Sequence, residues 1–176
     1  PYTLTTGKEI IELSSKNLGP ADVALVATWL QRPEVSAALN SLKCGNNPGM
    51  VGELDVYGRL ETPDAHAEVF KELTHSLKTS QVTKADFSSC GMGPVALGHL
   101  SDWVRDATTA VARLILDENP LTGGRRSTDF DTDITGITDL CDTLKTSSVT
   151  ELSLAKCRLG PGSLGKLAEY VREAEA

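Results

Sequence analysis

The feature that most constrains the fold is an internal repeat. Residues 77–94, LKTSQVTKADFSSCGMGP, align without gaps on residues 144–161, LKTSSVTELSLAKCRLGP. The two segments share their Leu-Lys-Thr-Ser start, a Val-Thr pair, a cysteine and a Gly-Pro end. Self-similarity at a fixed spacing is the signature of a chain built from repeated structural units. We therefore expect a repeat architecture.

Three further copies extend the repeat across the chain. Residues 10–20, IIELSSKNLGP, have the same ending, and residues 39–47 and 111–121 follow the pattern without the Gly-Pro. All five fit the frame LxxLxLxxNxL to differing degrees, with Cys in place of Asn in some copies. The fourth copy fits best, with the frame residues Val111, Leu114, Leu116, Asn119 and Leu121. The five copies predict repeats near residues 8–34, 39–77, 82–106, 111–144 and 149–176.

The spacing within each copy predicts a short strand followed by a helix. Apolar residues two apart, such as Leu114 and Leu116, lie on one face of a strand. Pro20, Pro94 and Pro161 suit the first turn of a helix, and apolar residues recur after them at helical spacing. Connections of this length are too long for hairpins, so the strands should form a parallel sheet. We expect near-complete burial of Leu114, Leu116, Leu152 and Leu154.

The frame resembles that of leucine-rich repeats, and the Asn or Cys position followed by a helix is similar to their ribonuclease-inhibitor-like class. The resemblance covers essentially the whole chain. It implies one leucine-rich repeat domain over residues 1–176 with an α/β fold, a right-handed βα solenoid whose short parallel strands lie inside and whose helices lie outside. Neither end shows the polar cap that a repeat array needs, so we expect a fragment of a longer array.

Two of the five repeats are longer than the others. At the last frame position, Leu18, Gly49, Met92, Leu121 and Leu159 are 31, 43, 29 and 38 residues apart. The extra residues fall between strand and helix, near 48–61 and 122–132. Because the inserts belong to alternate repeats, they should emerge on the same rim of the solenoid. We expect surface loops, so that residues 50–60 can be shortened with little loss of stability.

Strand alternation predicts which side chains face a partner. If frame positions four and six point inward, positions three, five and seven point onto the concave face of the sheet. An apolar residue, Ile115, lies at the middle of this face among charged residues, an arrangement typical of binding hot spots. The predicted partner-binding residues are Glu12, Lys43, Lys84, Asp86, Arg113, Ile115, Asp117 and Glu151.

Charge and cysteine content restrict the partners and the compartment. Seventeen basic against 24 acidic residues give a net charge of −7, which disfavours nucleic acid and anionic membranes as partners. No apolar run reaches the length of a membrane span. Cys44, Cys90, Cys141 and Cys157 form no CxxC pair, and we expect them to be buried, reduced thiols of a cytoplasmic protein.

No motif in the sequence supports catalysis. The acidic segment 129–133, DFDTD, is not followed by the Gly and Glu that a calcium loop requires, so we expect a solvated insert whose last residue, Asp133, caps a helix. A phosphate-binding loop, an HExxH zinc motif and a GxSxG nucleophile elbow are absent. The recurrent aromatic residues Trp29, Trp103 and Tyr170 are expected to pack at the ends of equivalent helices. We expect no enzyme activity, no cofactor, no metal and no small-molecule substrate.

These features favour a non-enzymatic interaction module that binds an unidentified protein partner through the concave face and the rim inserts. Two alternatives stay open. The family resemblance also allows a regulator similar to the activating protein of the Ran GTPase. Such a regulator would accelerate GTP hydrolysis by a small GTPase, which an assay with a panel of small GTPases would detect. The third possibility is a purely structural scaffold segment.

Overall fold

A computed structural model describes residues 1–174 and places one short strand of each repeat in a single parallel sheet. The strands of this sheet are β1 (Ile10–Glu12), β2 (Ser41–Lys43), β5 (Lys84–Asp86), β6 (Arg113–Ile115) and β7 (Glu151–Ser153). A separate antiparallel hairpin follows β2 in the chain and consists of β3 (Glu53–Leu54) and β4 (Leu60–Thr62). The helices are α1 (Pro20–Leu30), α2 (Pro33–Ser36), α3 (Ala67–Leu77), α4 (Pro94–Asp106), α5 (Thr135–Leu144) and α6 (Pro161–Ala174). The predicted α/β class with a parallel sheet is confirmed.

Strands and helices follow chain order in space. The strand order in the sheet is β1-β2-β5-β6-β7. The register places residues of the same frame position side by side, so that the fourth position forms the row Ile11, Leu42, Ala85, Leu114 and Leu152. The longer helices contact one another in the order α1-α3-α4-α5-α6. Each strand–helix unit therefore packs against the next unit.

The core lies between the sheet and the helices. The middle residues of the first four strands of the sheet are buried, together with the apolar faces of α1, α3, α4 and α5. The rings of Phe70 and Phe87 meet edge to face with their centroids 5.3 Å apart. Trp29 and Trp103 are buried and Tyr170 packs partly against the same core, so the recurrent aromatic residues contribute to packing, as predicted.

Buried asparagines join the turns of neighbouring repeats. Asn47 accepts backbone N–H bonds from Lys16 and Leu18 at 3.1 and 3.0 Å, and its side-chain amide donates to the Leu13 carbonyl at 2.9 Å. Asn119 makes the equivalent contacts between the third and fourth repeats, using the backbone of Phe87, Cys90, Met92 and Leu116. These contacts satisfy backbone groups of two repeats with one side chain.

The same frame position holds a cysteine in the third and fifth repeats. Cys90 donates its thiol to the Cys44 carbonyl at 3.2 Å, and Cys157 donates to the Leu116 carbonyl at 3.1 Å. All four cysteines of the chain are free and buried, as predicted. Burial raises the pKa of Cys157 to about 11 and raises the pKa of the other three thiols as well. Thiols kept protonated in this way are structural groups and poor nucleophiles.

The last repeat is less buried than the sequence predicts. Leu114 and Leu116 are fully buried, whereas Leu152 and Leu154 are only partly buried. The prediction of near-complete burial is therefore wrong for the last two residues. Leu152 lies in β7 and Leu154 directly follows it. β7 pairs with β6 along one edge, and within residues 1–174 no further strand covers its other edge.

The first insert is partly core. Met50 and Val51 are only 1% and 0% exposed, and the Val51 carbonyl accepts the His66 N–H at 2.7 Å. The expectation that residues 50–60 form a dispensable surface loop is therefore wrong for their first part. The tip of the β3–β4 hairpin is different, since Val56 and Tyr57 are 93% and 79% exposed.

We predict that Leu116→Ala lowers the free energy of unfolding by about 2–5 kcal/mol, because the truncated side chain leaves a cavity in a packed core. Leu154→Ala is the matched control, since the same change at a partly buried site should cost clearly less. Urea denaturation followed by circular dichroism measures both. A loss below about 0.5 kcal/mol at Leu116 would contradict the assignment of this residue to the core.

We also predict that replacing residues 55–59 by an Asn-Gly turn changes the free energy of unfolding by less than about 1 kcal/mol, because closing a surface loop depends weakly on its length. Met50→Ala, in the buried part of the same insert, should cost about 2–5 kcal/mol. Thermal denaturation of the two variants beside the wild type makes the comparison. Equal losses would show that the hairpin tip is as important to the core as Met50.

Candidate protein-binding surface

One face of the parallel sheet carries all eight predicted binding residues, and we call these eight residues the open strand face. Seven of them belong to the strands and Asp117 lies two residues after β6, and they alternate with the middle residues of the strands, which are buried in the first four strands of the sheet. Four of them are exposed, namely Glu12, Lys43, Lys84 and Glu151. The other four are half-buried, namely Asp86, Arg113, Ile115 and Asp117.

The register gathers most of these side chains around one depression. A hollow of about 310 Å³ lies at the middle of the face, and the predicted residues that line it are Glu12, Lys43, Lys84, Asp86, Arg113 and Ile115. Asp117 lines an adjoining depression of about 460 Å³. Glu151 lines neither and contacts Arg113 from the next strand.

Two ion pairs join neighbouring strands across the open strand face. Lys43 Nζ lies 3.8 Å from Glu12 Oε2, and Arg113 Nε lies 3.1 Å from Glu151 Oε1. The second contact does not have the angle of a hydrogen bond, and Arg113 Nε has no other partner in the described residues. Hydrogen bonding by Ser14, with the charge of Lys43 nearby, lowers the pKa of Glu12. Both pairs are solvent-exposed and contribute no more than about 1 kcal/mol each, so a partner can reorganise them.

The remaining polar residues of the open strand face differ in whether their side chains are already bonded within the protein. Lys84 is exposed, and no carboxylate of residues 1–174 lies within ion-pair distance of it. Asp86 bonds within its own turn. Asp117 accepts hydrogen bonds from the Ser153 hydroxyl at 2.6 Å and the Ala155 N–H at 2.8 Å, and so links the fourth and fifth repeats. Its structural role was not predicted, because the spacing of the frame does not reveal a bond between two outward positions.

Both inserts lie at one edge of the open strand face. A groove of about 460 Å³ runs between them, and we call it the rim groove. It is lined by Pro48, Leu60, Ser89, Gly91, Glu118, Pro120, Ser127, Phe130, Lys156 and Arg158. Ser89 and Glu118 also line the depression beside Asp117, so the rim groove is continuous with the open strand face. The structure thus places the two inserts together, as the alternation of long repeats suggests.

An aspartate beside or within each insert caps a helix of the following repeat. The carboxylate of Asp64 accepts hydrogen bonds of 2.7–3.1 Å from three N–H groups at the start of α4, those of Gly93, Val95 and Ala96. The carboxylate of Asp131, 67 residues later, does the same at the start of α6, with Gly160, Gly162 and Ser163. These bonds satisfy N–H groups that have no partner inside the helix and favour a negative charge at its N-terminus.

The caps give a physical reason for the Gly-Pro motif. A Cβ atom at Gly93 or at Gly160 would lie only 2.6 Å from the capping carboxylate, a distance too short for any side chain. The proline that follows occupies the first helical position, where no N–H is needed. The segment Thr62-Pro63-Asp64 has the composition of a helix start, but α3 begins only at Ala67, so Asp64 lies before the helix of its own repeat. The separation of Asp64 and Asp131 equals the repeat offset, and that signal could have revealed both caps.

The acidic segment 129–133 uses its carboxylates within the protein. Asp129 accepts the Arg126 N–H and Asp131 caps α6. Asp133 accepts the N–H and hydroxyl of Thr135, the first residue of α5, although the cap position of α5 is Ile134, one residue after the predicted one. In the described part of the chain, no group of His, Cys, Asp and Glu side chains is arranged to hold a metal ion. Over the same residues, no helix combines the length and apolar character needed to cross a membrane.

Comparison with known proteins gives a structural relative and no sequence relative. No protein-family model and no curated protein matches the sequence. Among solved structures, the chain is similar to the Leiomodin-1 Actin-Binding Site 2 (ABS2), with a TM-score of 0.61 over 95% of this chain and 80% of that chain. The two sequences are 9% identical, so the similarity shows a shared fold and nothing finer.

We predict that Asp131→Asn lowers the free energy of unfolding by about 1 kcal/mol at neutral pH, because the amide keeps one acceptor oxygen but loses the negative charge that stabilises the start of a helix. Burial raises the pKa of the Asp131 carboxyl, but the hydrogen bonds from Ser163, Gly160 and Gly162 outweigh burial, and the net pKa is lowered. A group with a lowered folded-state pKa stabilises the fold above its unfolded pKa, near 4. This contribution disappears as the pH falls through the folded pKa.

The difference in melting temperature between Asp131→Asn and the wild type should therefore be largest near pH 7 and should shrink steadily below about pH 4. Asp139→Asn, an exposed position in the middle of α5, is the matched control and should match the wild type throughout. A difference that stays constant with pH would mean that the charge of Asp131 does not contribute to the cap.

Proposed function

We propose that the chain is a non-catalytic, protein-binding leucine-rich repeat module of the ribonuclease-inhibitor-like class, whose units form a curved solenoid. The in-register strands, the sequential packing of the helices and the Asn and Cys contacts at the turns support this assignment. The four buried, free thiols support a reducing, cytoplasmic location.

The observation that carries the proposal is the uncovered face of a parallel sheet. Parallel sheets are normally covered by helices on both faces, because both faces of their strands are apolar. Here the buried residues face the helices, while the outward positions are charged, polar or half-buried. In residues 1–174 no helix packs over the open strand face. A polar parallel sheet face that is left open in this way suits a protein partner.

The chemistry of the open strand face fits a partner of mixed charge. Ile115 is half-buried beside Asp86 and Arg113, so its burial by a partner would desolvate an apolar centre with charges around it. Five strands about 4.8 Å apart span only about 20 Å. A typical interface buries roughly 800 Å² on each side. The partner must therefore extend from the strands over the rim groove, which adjoins them.

The structural neighbour agrees with this class of function. Its name describes a binding site for actin, a protein, and its fold matches over most of the present chain. We carry over to this chain only the general property of binding a protein partner. At 9% identity the neighbour gives no reason to propose actin as that partner.

The test uses the chain as bait for its native partner. Wild-type chain, Ile115→Glu and Arg113→Glu are each used to purify proteins from an extract of the source organism, and recovery is quantified by mass spectrometry. A partner should be recovered by the wild type and reduced at least tenfold by both variants, because each variant changes the centre of the open strand face. The melting temperatures of the variants should stay close to that of the wild type.

Leu25→Glu is the control, because Leu25 is an exposed apolar residue on α1, away from the open strand face. It should recover the partner as well as the wild type does. Loss of the partner with Leu25→Glu, together with full recovery by Ile115→Glu and Arg113→Glu, would show that the helix side binds the partner and would refute the proposal.

A further inference from the structure

The rim groove displays an aromatic side chain on a fixed backbone. Phe130 is 56% exposed, although the next residue, Asp131, is held by its hydrogen bonds to the start of α6. A Cβ at Gly160 would lie 3.1 Å from the Phe130 Cβ, so the backbone of the insert lies directly against the fifth repeat. The exposure of Phe130 is therefore a property of an ordered surface.

The opposite wall of the rim groove is apolar and equally well ordered. Leu60 lies in β4, where it pairs with Leu54 of β3. The turn that joins these strands is held by Asp55, whose carboxylate accepts the N–H groups of Tyr57 and Arg59 at 2.8 and 2.9 Å. With Pro48 and Pro120 nearby, the groove offers an apolar slot between two fixed backbones.

A guanidinium without an acidic partner lies in the same groove. Arg158 donates a hydrogen bond to the Gly124 carbonyl of the second insert. Among residues 1–174, no carboxylate lies within ion-pair distance of Arg158. Burial lowers the pKa of Arg158, and the charge of Asp129, which lies beyond ion-pair distance, partly offsets this effect. The other cation of the groove, Lys156, is exposed and only loosely paired with Glu118 at 3.5 Å.

We propose that the rim groove binds an acidic peptide segment of a partner protein, with a large apolar side chain between Leu60 and Phe130 and a carboxylate on Arg158. We choose an acidic segment on charge complementarity, because the residues that line the groove include two cations, Lys156 and Arg158, and one acid, Glu118. Its volume of about 460 Å³ suits one or two side chains of an extended segment. This inference rests on the proposed protein-binding function and adds the chemistry of the bound segment.

The test is a selection of random 12-residue peptides displayed on phage against the immobilised wild-type chain. Enriched peptides should combine Asp or Glu with Leu, Ile, Phe or Trp. Synthetic copies, measured by fluorescence anisotropy, should bind Phe130→Ser and Arg158→Gln at least tenfold more weakly than the wild type. Arg158→Lys should lose less affinity than Arg158→Gln, and added NaCl should weaken binding to the wild type.

Two substitutions elsewhere serve as matched controls. Val95→Ser removes a side chain that is 52% exposed on α4, and Arg172→Gln removes an exposed charge on α6. Both should bind the peptides like the wild type, and all variants should keep melting temperatures close to that of the wild type. If Arg158→Gln does not fold, Arg158→Lys and the dependence on NaCl still test the charge.

The outcomes separate this inference from the function on which it rests. No enriched peptide, or enrichment of basic peptides, would overturn the acidic-segment proposal. Peptides that are lost with Ile115→Glu but retained by Phe130→Ser would also overturn it, while leaving protein binding at the open strand face intact. Recovery of the native partner is measured separately, so a failed peptide selection does not decide the proposed function.

Discussion

The structure depends on the buried asparagines at the turns between repeats. Asn47 and Asn119 each bond to backbone donors and acceptors of two consecutive repeats, in a place that water does not reach. Removing such a side chain would leave several buried groups unpaired, each at a cost of about 1–3 kcal/mol. Because the two turns are joined at a fixed distance, the strands before them pair in one register. That register decides which side chains face the core and which lie on the open strand face.

The repeated unit was predictable from sequence because its pattern is local. Apolar residues at frame positions four and six, with Asn or Cys at nine, specify a short strand and its turn, and the observed register follows this frame in all five copies. The sequence did not predict the burial of Met50 and Val51 or the caps formed by Asp64 and Asp131. These are contacts between segments about 30 residues apart, and their geometry depends on how the inserts fold back, which periodicity does not describe.

Some features of the candidate site follow from the local pattern, and others do not. Alternation along three-residue strands placed all eight predicted residues on one face, since each strand has only one way to bury its middle residue. Alternation does not predict hydrogen bonds between residues of the same face. The hydrogen bonds that Asp117 accepts from Ser153 and Ala155 are therefore known only from the structure. The repeat lengths predicted where the rim groove lies, but they did not predict which side chains line it. The position of the Arg158 guanidinium, for example, depends on a carbonyl of the second insert.

Each capping aspartate links two repeats, and this restricts which residues of the inserts can be substituted without loss of stability. Asp64 and Asp131 belong to the second and fourth repeats, but their carboxylates hold the helices of the third and fifth. The ends of the inserts therefore contribute to the stacking of the units, and under the proposed function substitutions there change stability and binding together. The hairpin tip around Val56 and the exposed residues 125–128 make no such contact and are solvent-exposed. Sequence change at these tips can alter the surface offered to a partner while the caps keep the repeats stacked, so partner specificity and stability can be adjusted separately.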